Sequence, residues 1–350
     1  MKNRKNINTT TKYTTTKYTN ITNIVAPKGK KNQTEFPEFI ALCKQTQAEL
    51  KAYLPQKLIE AGYTEVIVDN GFIYAKGITP ILLTAHLDTV HKETVKDFYE
   101  RIENGNHIIS SPQGIGGDDR CGVYMILEII KEHKPFILLC EDEEIGGVGS
   151  SKFCKTEFIK ELSELNYLIE LDRANRNDAV FYDCDNPEFT KFITETTGYK
   201  EAWGSFSDIS NLAPACKVAA VNFSCGYYHA HTTQEEVNVE EMLRTIEAVK
   251  KLLTTESKQF VYIEVDNYYR YGRTNYNWYG GYNDSFYGTT KRSWYNDNYI
   301  LYVTFLNPDT GVECEKEYYG ETEEACWVDF FMANPDVSFN MVLDFNVDYF

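Results

Sequence analysis

Three short apolar runs, each ending in an acid or an imidazole, limit what this chain can fold into. Ile81–Ala85 runs into His86-Leu87-Asp88, Phe136–Cys140 into Glu141-Asp142-Glu143-Glu144, and Tyr167–Leu171 into Asp172. Unbroken apolar runs of this length mark strands buried on both faces, as in a parallel sheet covered by helices. Helical patterns lie around them at Phe36–Ala61, Val123–Lys131, Ser151–Leu165, Pro187–Thr197 and Val239–Leu253. Pro55 is expected to interrupt or kink the first of these. A fourth buried strand reads at Val218–Phe223, and Thr64–Val68 with Phe72–Ala75 makes a hairpin about Asp69-Asn70-Gly71. Lys92–Asn106 reads as a polar edge or loop, and Gly146–Gly149 as a turn. Strands alternating with helices predict a three-layer α/β/α domain with a mainly parallel central sheet over residues 36–257. Such sheets put their sites beyond the C-terminal ends of the strands, where these runs carry their acids and imidazole.

The flanks differ in character. Residues 1–35 are polar, with Thr10–Thr14 nearly repeated at Thr15–Thr19, and predict a disordered tail or a basic docking arm. Residues 258–350 predict a small α+β module: a strand at Phe260–Val265, a hairpin of Tyr299–Phe305 with Val312–Tyr319, a helix at Thr322–Met332 and a strand at Ser338–Phe345. Between Tyr262 and Tyr302 lie eleven of the chain's 26 tyrosines. This biased segment reads as a structural appendage or as a platform for substrate or partner.

Composition removes several function classes. A net charge of −17 over 350 residues argues against nucleic acid or an anionic membrane as main partner. No apolar run approaches the roughly 18 residues of a membrane span. The nine cysteines are scattered with no CxxC pair, which reads as a reduced, cytoplasmic set. No apolar stretch follows the basic N-terminal residues, so no signal peptide is expected.

The chemistry gathers at Gly114-Ile115-Gly116-Gly117-Asp118-Asp119-Arg120-Cys121-Gly122, a Gly-rich loop that opens the helix Val123–Ile130. Two adjacent carboxylates there are favoured by the helix N-terminus but repel one another unless a cation intervenes. His86, Asp88, Glu143, Glu144 and Asp172 are the other candidate donors, and His231 adds a second imidazole beyond the Val218–Phe223 strand. Taken singly, each has a bland reading: a hydrogen-bonded surface His, a solvated acidic face, an N-cap Asp. Together, all placed at strand ends or helix starts, they suit Zn²⁺, Co²⁺ or Mn²⁺ in an open, thiolate-free catalytic site.

The order His-x-Asp, Asp-Asp, Glu-Glu, Asp, His resembles the co-catalytic di-zinc exopeptidases, a clan of aminopeptidases, tripeptidases of the peptidase T type, glutamate carboxypeptidases and aminoacylases. The matching segments are Thr84–Asp88, Gly116–Gly122, Glu143–Gly147, Glu170–Asp172 and His231–Glu240, within residues 36–255. The resemblance implies that His86 and Asp172 hold one zinc and His231 and Glu144 the other. It makes Asp118 the bridge, Asp88 the carboxylate behind His86, Glu143 the general base, and the Asp118–Asp119 peptide cis. His231 is the expected ligand because the sequence after it matches the clan's motif, and His229 reads as a donor behind the metals or as a packing residue. Arg120 and Arg173 would neutralise the acids or bind a substrate carboxylate. Asp208 would receive a substrate ammonium or form a local turn. The segment between Asp172 and His231 leaves no room for the lid domain that many members insert there.

The resemblance thus implies a zinc-dependent exopeptidase that acts on small peptides or N-terminal residues through a metal-bridged hydroxide. The alternatives are an N-acyl amino acid amidohydrolase and a non-catalytic binding protein that keeps the fold. The intact donor set with Glu143 argues against the last. Oligomeric state is not legible.

Overall fold

Why the apolar runs lack alternation is plain from where they sit. In the computed structural model the described residues are 29–204, 206–264, 299–306, 313–320, 326, 327, 330 and 342–349. The elements are β1 (Lys30–Lys31), α1 (Pro37–Cys43), α2 (Gln47–Glu60), β2 (Val66–Asp69), β3 (Phe72–Ala75), β4 (Thr79–His86), β5 (Tyr99–Glu103), β6 (Asn106–Ser110) and α3 (Gly117–Ile129). They continue with β7 (Pro135–Cys140), α4 (Val148–Phe153), α5 (Ile159–Leu162), β8 (Tyr167–Arg173), β9 (Asp178–Val180), α6 (Pro187–Thr197), β10 (Lys200–Ala202) and α7 (Asp208–Cys216). Then come β11 (Ala220–Ser224), β12 (Tyr227–Tyr228), β13 (Glu236–Asn238), α8 (Val239–Thr254), β14 (Tyr299–Leu306), β15 (Glu313–Gly320) and β16 (Val342–Tyr349).

An eight-stranded sheet runs β10-β9-β11-β8-β4-β7-β3-β2. Its centre, β11-β8-β4-β7, is parallel. Successive residues of the central strands face two different cores. Ile81, Leu83, Ile137, Leu139 and Ile169 pack with α1, α2, α3, α6 and α8. Leu82, Leu138, Cys140 and Leu168 pack with α4, α5 and α7. Both faces are therefore covered, which gives the three layers and explains why these strands carry no polar alternation. A second, antiparallel sheet runs β1-β5-β6-β13-β12.

The structure departs from the sequence reading at several points. Away from the centre the sheet is mixed: β9 is antiparallel to β11, and β3 and β2 form an antiparallel margin. The Phe36–Ala61 pattern is two helices. The second starts at a capping box, in which the Thr46 hydroxyl accepts from the Glu49 N–H and Glu49 accepts from the Thr46 N–H, and Pro55 lies within it. Part of Lys92–Asn106 is the β5–β6 hairpin, and Ser151–Leu165 is two short helices. Helix α7, interrupted in pattern by Pro214, was not expected. The expected polar tail is shorter than 35 residues, because Lys30 and Lys31 pair with Glu100 and Tyr99. Residues 1–28, expected as part of the polar tail, and the Tyr-rich stretch 265–298 lie outside the described residues.

The boundary near residue 257 also moves. Phe260 is 4% exposed and its ring packs at a tilt against those of Tyr167, Phe189 and Phe192. Its carbonyl accepts from the Ala219 N–H at 2.9 Å. A chain ended after residue 257 is expected to lose the roughly 2–3 kcal/mol of burying one large aromatic, whereas one ended after 264 keeps it. Chemical denaturation of the two truncations checks this; equal midpoints would restore the earlier boundary.

In the C-terminal segment, β14 is flanked by β15 and β16, both antiparallel. Leu301, Val303 and Phe305 pack with Cys326 and Phe330. The last strand is Val342–Tyr349, four residues beyond its expected place. Of the expected helix Thr322–Met332, the described Cys326, Trp327 and Phe330 are helical.

Candidate metal centre

Five segments deliver the candidate donors to one end of the sheet. His86 is the last residue of β4, Asp172 lies near the end of β8, and Glu143 and Glu144 follow β7. Asp118 opens α3, and His231 sits in the loop between β12 and β13. His86 Nε2 is 2.9 Å from Asp118 Oδ1 and 3.5 Å from Asp172 Oδ1. His231 Nε2 is 3.2 Å from both Asp118 Oδ2 and Glu144 Oε2. One donor atom each from His86, Asp118 and Glu144 lies within 4.8 Å of the others, and the same holds for His86, Glu143 and Asp172. All seven residues singled out from the sequence are thus brought together.

A frame of hydrogen bonds holds them. Asp88 is 3.1 Å from His86 Nδ1, and its two oxygens accept from the Glu143 and Glu144 N–H groups at 3.0 Å each. It therefore aims the imidazole and fixes the acidic turn at once. The Asp118–Asp119 peptide is cis, as the resemblance implied. Asp119 is fully buried and accepts from the His86 N–H at 3.1 Å and the Gly122 N–H at 2.8 Å. Gly122 is needed there, since a Cβ on it would fall 2.1 Å from the Leu171 carbonyl oxygen.

Four supporting groups escaped the sequence reading. Ser207 Oγ and Tyr227 OH donate to Asp172 at 3.1 and 3.2 Å. The Asn222 amide clasps the end of β8, accepting from the Asp172 N–H and donating to its carbonyl at 2.9 Å each. His91 Nε2 lies 2.7 Å from Glu235, which also accepts from the Gly116 and Asp118 N–H groups at 2.8 and 3.0 Å. Asn222 had a signal, being the one amide inside an otherwise apolar strand. Ser207 reaches the site from the start of α7, Tyr227 from β12 and His91 from the loop after β4.

Four further residues from the sequence reading also have definite places. Asp208 is fully buried at the start of α7, where its N–H and that of Ile209 donate to the buried Glu170 carboxylate. Both of its carboxylate oxygens are buried without a hydrogen-bond partner. The His229 ring makes no hydrogen bond or ion pair among the described residues. Arg120 donates to the carbonyls of Leu87, Asp88 and Gln45, and Arg173 lies 3.7 Å from Asp178. Neither pairs with a donor carboxylate.

The electrostatics suit a cation. Burial, then the Asp118 charge, push Asp172 up to about 7. Burial holds Glu143 well above the ordinary carboxylate range. Burial also works to raise Asp118, but hydrogen bonds from His231 and His86 outweigh it and hold that carboxyl low. Burial favours neutral rings, yet the surrounding carboxylates raise both His86 and His231 well above the usual imidazole value. Glu144 Oε1 is buried without a partner. Crowded carboxylates, two imidazoles and an orphaned oxygen fit divalent cations of the zinc type.

These shifts carry a sign. The surrounding carboxylates raise both imidazoles, so protons compete with a cation for the two rings. Zinc binding is therefore expected to release protons, and affinity to fall as pH is lowered. Calorimetry in buffers of different ionisation enthalpy counts them; release of none would remove the imidazoles from the ligand set.

Among solved structures the chain is similar to the aminopeptidase PepT of Bacillus cereus, at 18% identity, a TM-score of 0.50, and coverage of 62% of this chain and 96% of that one. It has the fold of aminopeptidase PepT. A tripeptidase from Staphylococcus aureus (13% identity, TM-score 0.49, 62% and 96% covered) and a Zn-dependent exopeptidase from Parabacteroides distasonis (14%, 0.46, 63% and 95%) are also similar. No protein-family model matches the sequence, and no curated protein is significantly similar to it. The parallel pairing of β4 with β7 and β8 brings the C-terminal ends of these strands, and the donors that follow them, to one end of the sheet. Among the described residues no helix is long and apolar enough to cross a membrane.

Proposed function

We propose that the chain is a zinc-dependent exopeptidase that hydrolyses small peptides. The observation that carries this reading is the convergence of two imidazoles and four carboxylates from five separate segments, with Glu144 Oε1 left without a partner. His86 and Asp172 would hold one cation, His231 and Glu144 a second, and Asp118 both. Such cations supply the Lewis acidity that polarises a scissile carbonyl and acidifies water. Glu143 is the general base: its carboxylate takes a proton from the attacking water and returns it to the leaving amine. Burial raises its pKa, which makes the carboxylate a stronger base. Asp88 keeps His86 in one tautomer and holds the Glu143–Glu144 backbone in place.

The rim points to the side chain that is accepted. Ile145, directly after Glu144, is 70% exposed, and Phe206 is 41% exposed. Phe206 lies against Gly147, within 2.7 Å of where a Cβ would stand. Its neighbour Ser207 bonds Asp172. Exposed apolar groups flanking a polar centre support a peptide with an apolar residue beside the scissile bond.

The test is hydrolysis of free and N-blocked dipeptides, with leucine, phenylalanine, aspartate or lysine first, alongside bound-metal analysis. Cleavage of free Leu- and Phe-peptides with about two zinc ions per chain is the expected result. Cleavage confined to N-acyl amino acids would assign a deacylase, and no cleavage by the zinc-loaded chain would overturn the reading.

A further inference from the structure

A cavity of about 440 Å³ opens beside Asp88, walled by the turn between α1 and α2, the loop after β4, the Gly114–Gly116 segment and Arg120. Its charged walls are uneven. Asp88 is committed to His86 and to two backbone N–H groups. His91 is committed to Glu235, and Glu93 pairs with Lys96 at 2.7 Å. Arg120 and Lys92 remain, and neither forms an ion pair among the described residues.

Arg120 is the stronger clue. It is 4% exposed, and its guanidinium donates to three carbonyl oxygens, while the Asp119, Asp88 and Glu235 charges act on it only from beyond ion-pair distance. Its Nε–H is buried with no acceptor. A buried cation normally has a paired anion, and a buried donor normally has a partner. Two unpaired cations on one cavity wall run against a chain of net charge −17. The volume falls within the range of small-molecule pockets.

We propose that this cavity binds a small oxyanion, a carboxylate or a phosphate, through the Arg120 guanidinium with Lys92 at its mouth. The site is separate from the proposed zinc ligands and does not depend on the peptidase reading. Two sources share the chemistry: the free carboxylate of a short peptide, and a free inorganic or organic anion.

The experiment is calorimetric titration of inorganic phosphate, and separately of succinate, into the full chain after chelation of metal and dialysis. Without metal, a failed peptidase reading cannot affect the result. One saturable site is expected, about fivefold weaker in Lys92→Glu, since an exposed charge interaction is modest. In Arg120→Lys, which keeps the charge but lacks the Nε–H, the site is expected to be about tenfold weaker or more. Lys92 is exposed and unpaired, so its variant folds even if the Arg120 variant does not. No saturable heat, or the same affinity in wild type and Lys92→Glu, would overturn the proposal. Where binding is seen, displacement of phosphate by a dipeptide but not by its amide assigns the site to peptide carboxylate. Displacement by neither assigns it to a free anion.

Discussion

Glu143→Gln is expected to keep its metal and lose on the order of 10²- to 10⁴-fold in kcat, the range for removing a general base. Its neighbour should fail differently. The Glu143 carboxylate belongs to the group with His86 and Asp172, whereas Glu144 lies 3.2 Å from His231. The glutamine amide keeps the shape of Glu143 and can still hydrogen-bond water, but it cannot accept the proton. Glu144→Gln removes a negative donor instead, so zinc content falls and activity partly returns with excess metal. Metal analysis with steady-state kinetics on both variants separates the roles, because a lost base lowers kcat and a lost ligand lowers occupancy. If Glu143→Gln loses zinc while Glu144→Gln retains it, the roles are exchanged. If both keep metal and full activity, the acidic run is a solvated face and the peptidase reading falls.

How two adjacent glutamates reach one centre marks the limit of what the sequence carried. In extended backbone they would point opposite ways. A turn was expected to use the freedom of Gly146-Gly147, but it begins earlier, at Asp142, where φ is +60°. That strained residue is held from outside by Gln47, which donates to the Asp142 carboxylate at 2.9 Å and accepts from its N–H at 3.1 Å. The partners are 95 residues apart, so no local pattern could show the clasp. Strands β4, β7 and β8 were legible because burial on both faces writes itself into consecutive apolar residues. Helices α1 and α2 blurred into one because their break depends on the Thr46 cap rather than on hydrophobic period. The candidate donors apart from His231, which lies in a loop, were legible because each ends or follows a strand or opens a helix. Their supports were not: Tyr227, Ser207 and His91 act through contacts with residues far away in the sequence.

Glu235→Ala is expected to loosen the centre without touching a proposed ligand. Glu235 is fully buried, and its two oxygens accept from the Gly116 and Asp118 N–H groups and meet His91 Nε2. It lies four residues after His231, so it ties the His231 loop to the loop that carries Asp118. Burial raises its carboxyl, opposed by the His91 hydrogen bond. Alanine would leave two buried N–H groups unsatisfied, at about 1–3 kcal/mol each. It would also free the backbone that aims Asp118, and loss of such an outer partner typically weakens metal binding by about 10- to 100-fold. Glu235→Gln has the same shape and one carbonyl acceptor, so it should lie between wild type and alanine in both stability and zinc affinity. Zinc titration against a competing chelator, with denaturation of the metal-free forms, separates the two effects. A metal-free Glu235→Ala chain that is destabilised yet binds zinc as tightly as wild type would make Glu235 a strut of the fold alone. Weaker zinc binding that glutamine partly restores would make it the residue that positions Asp118.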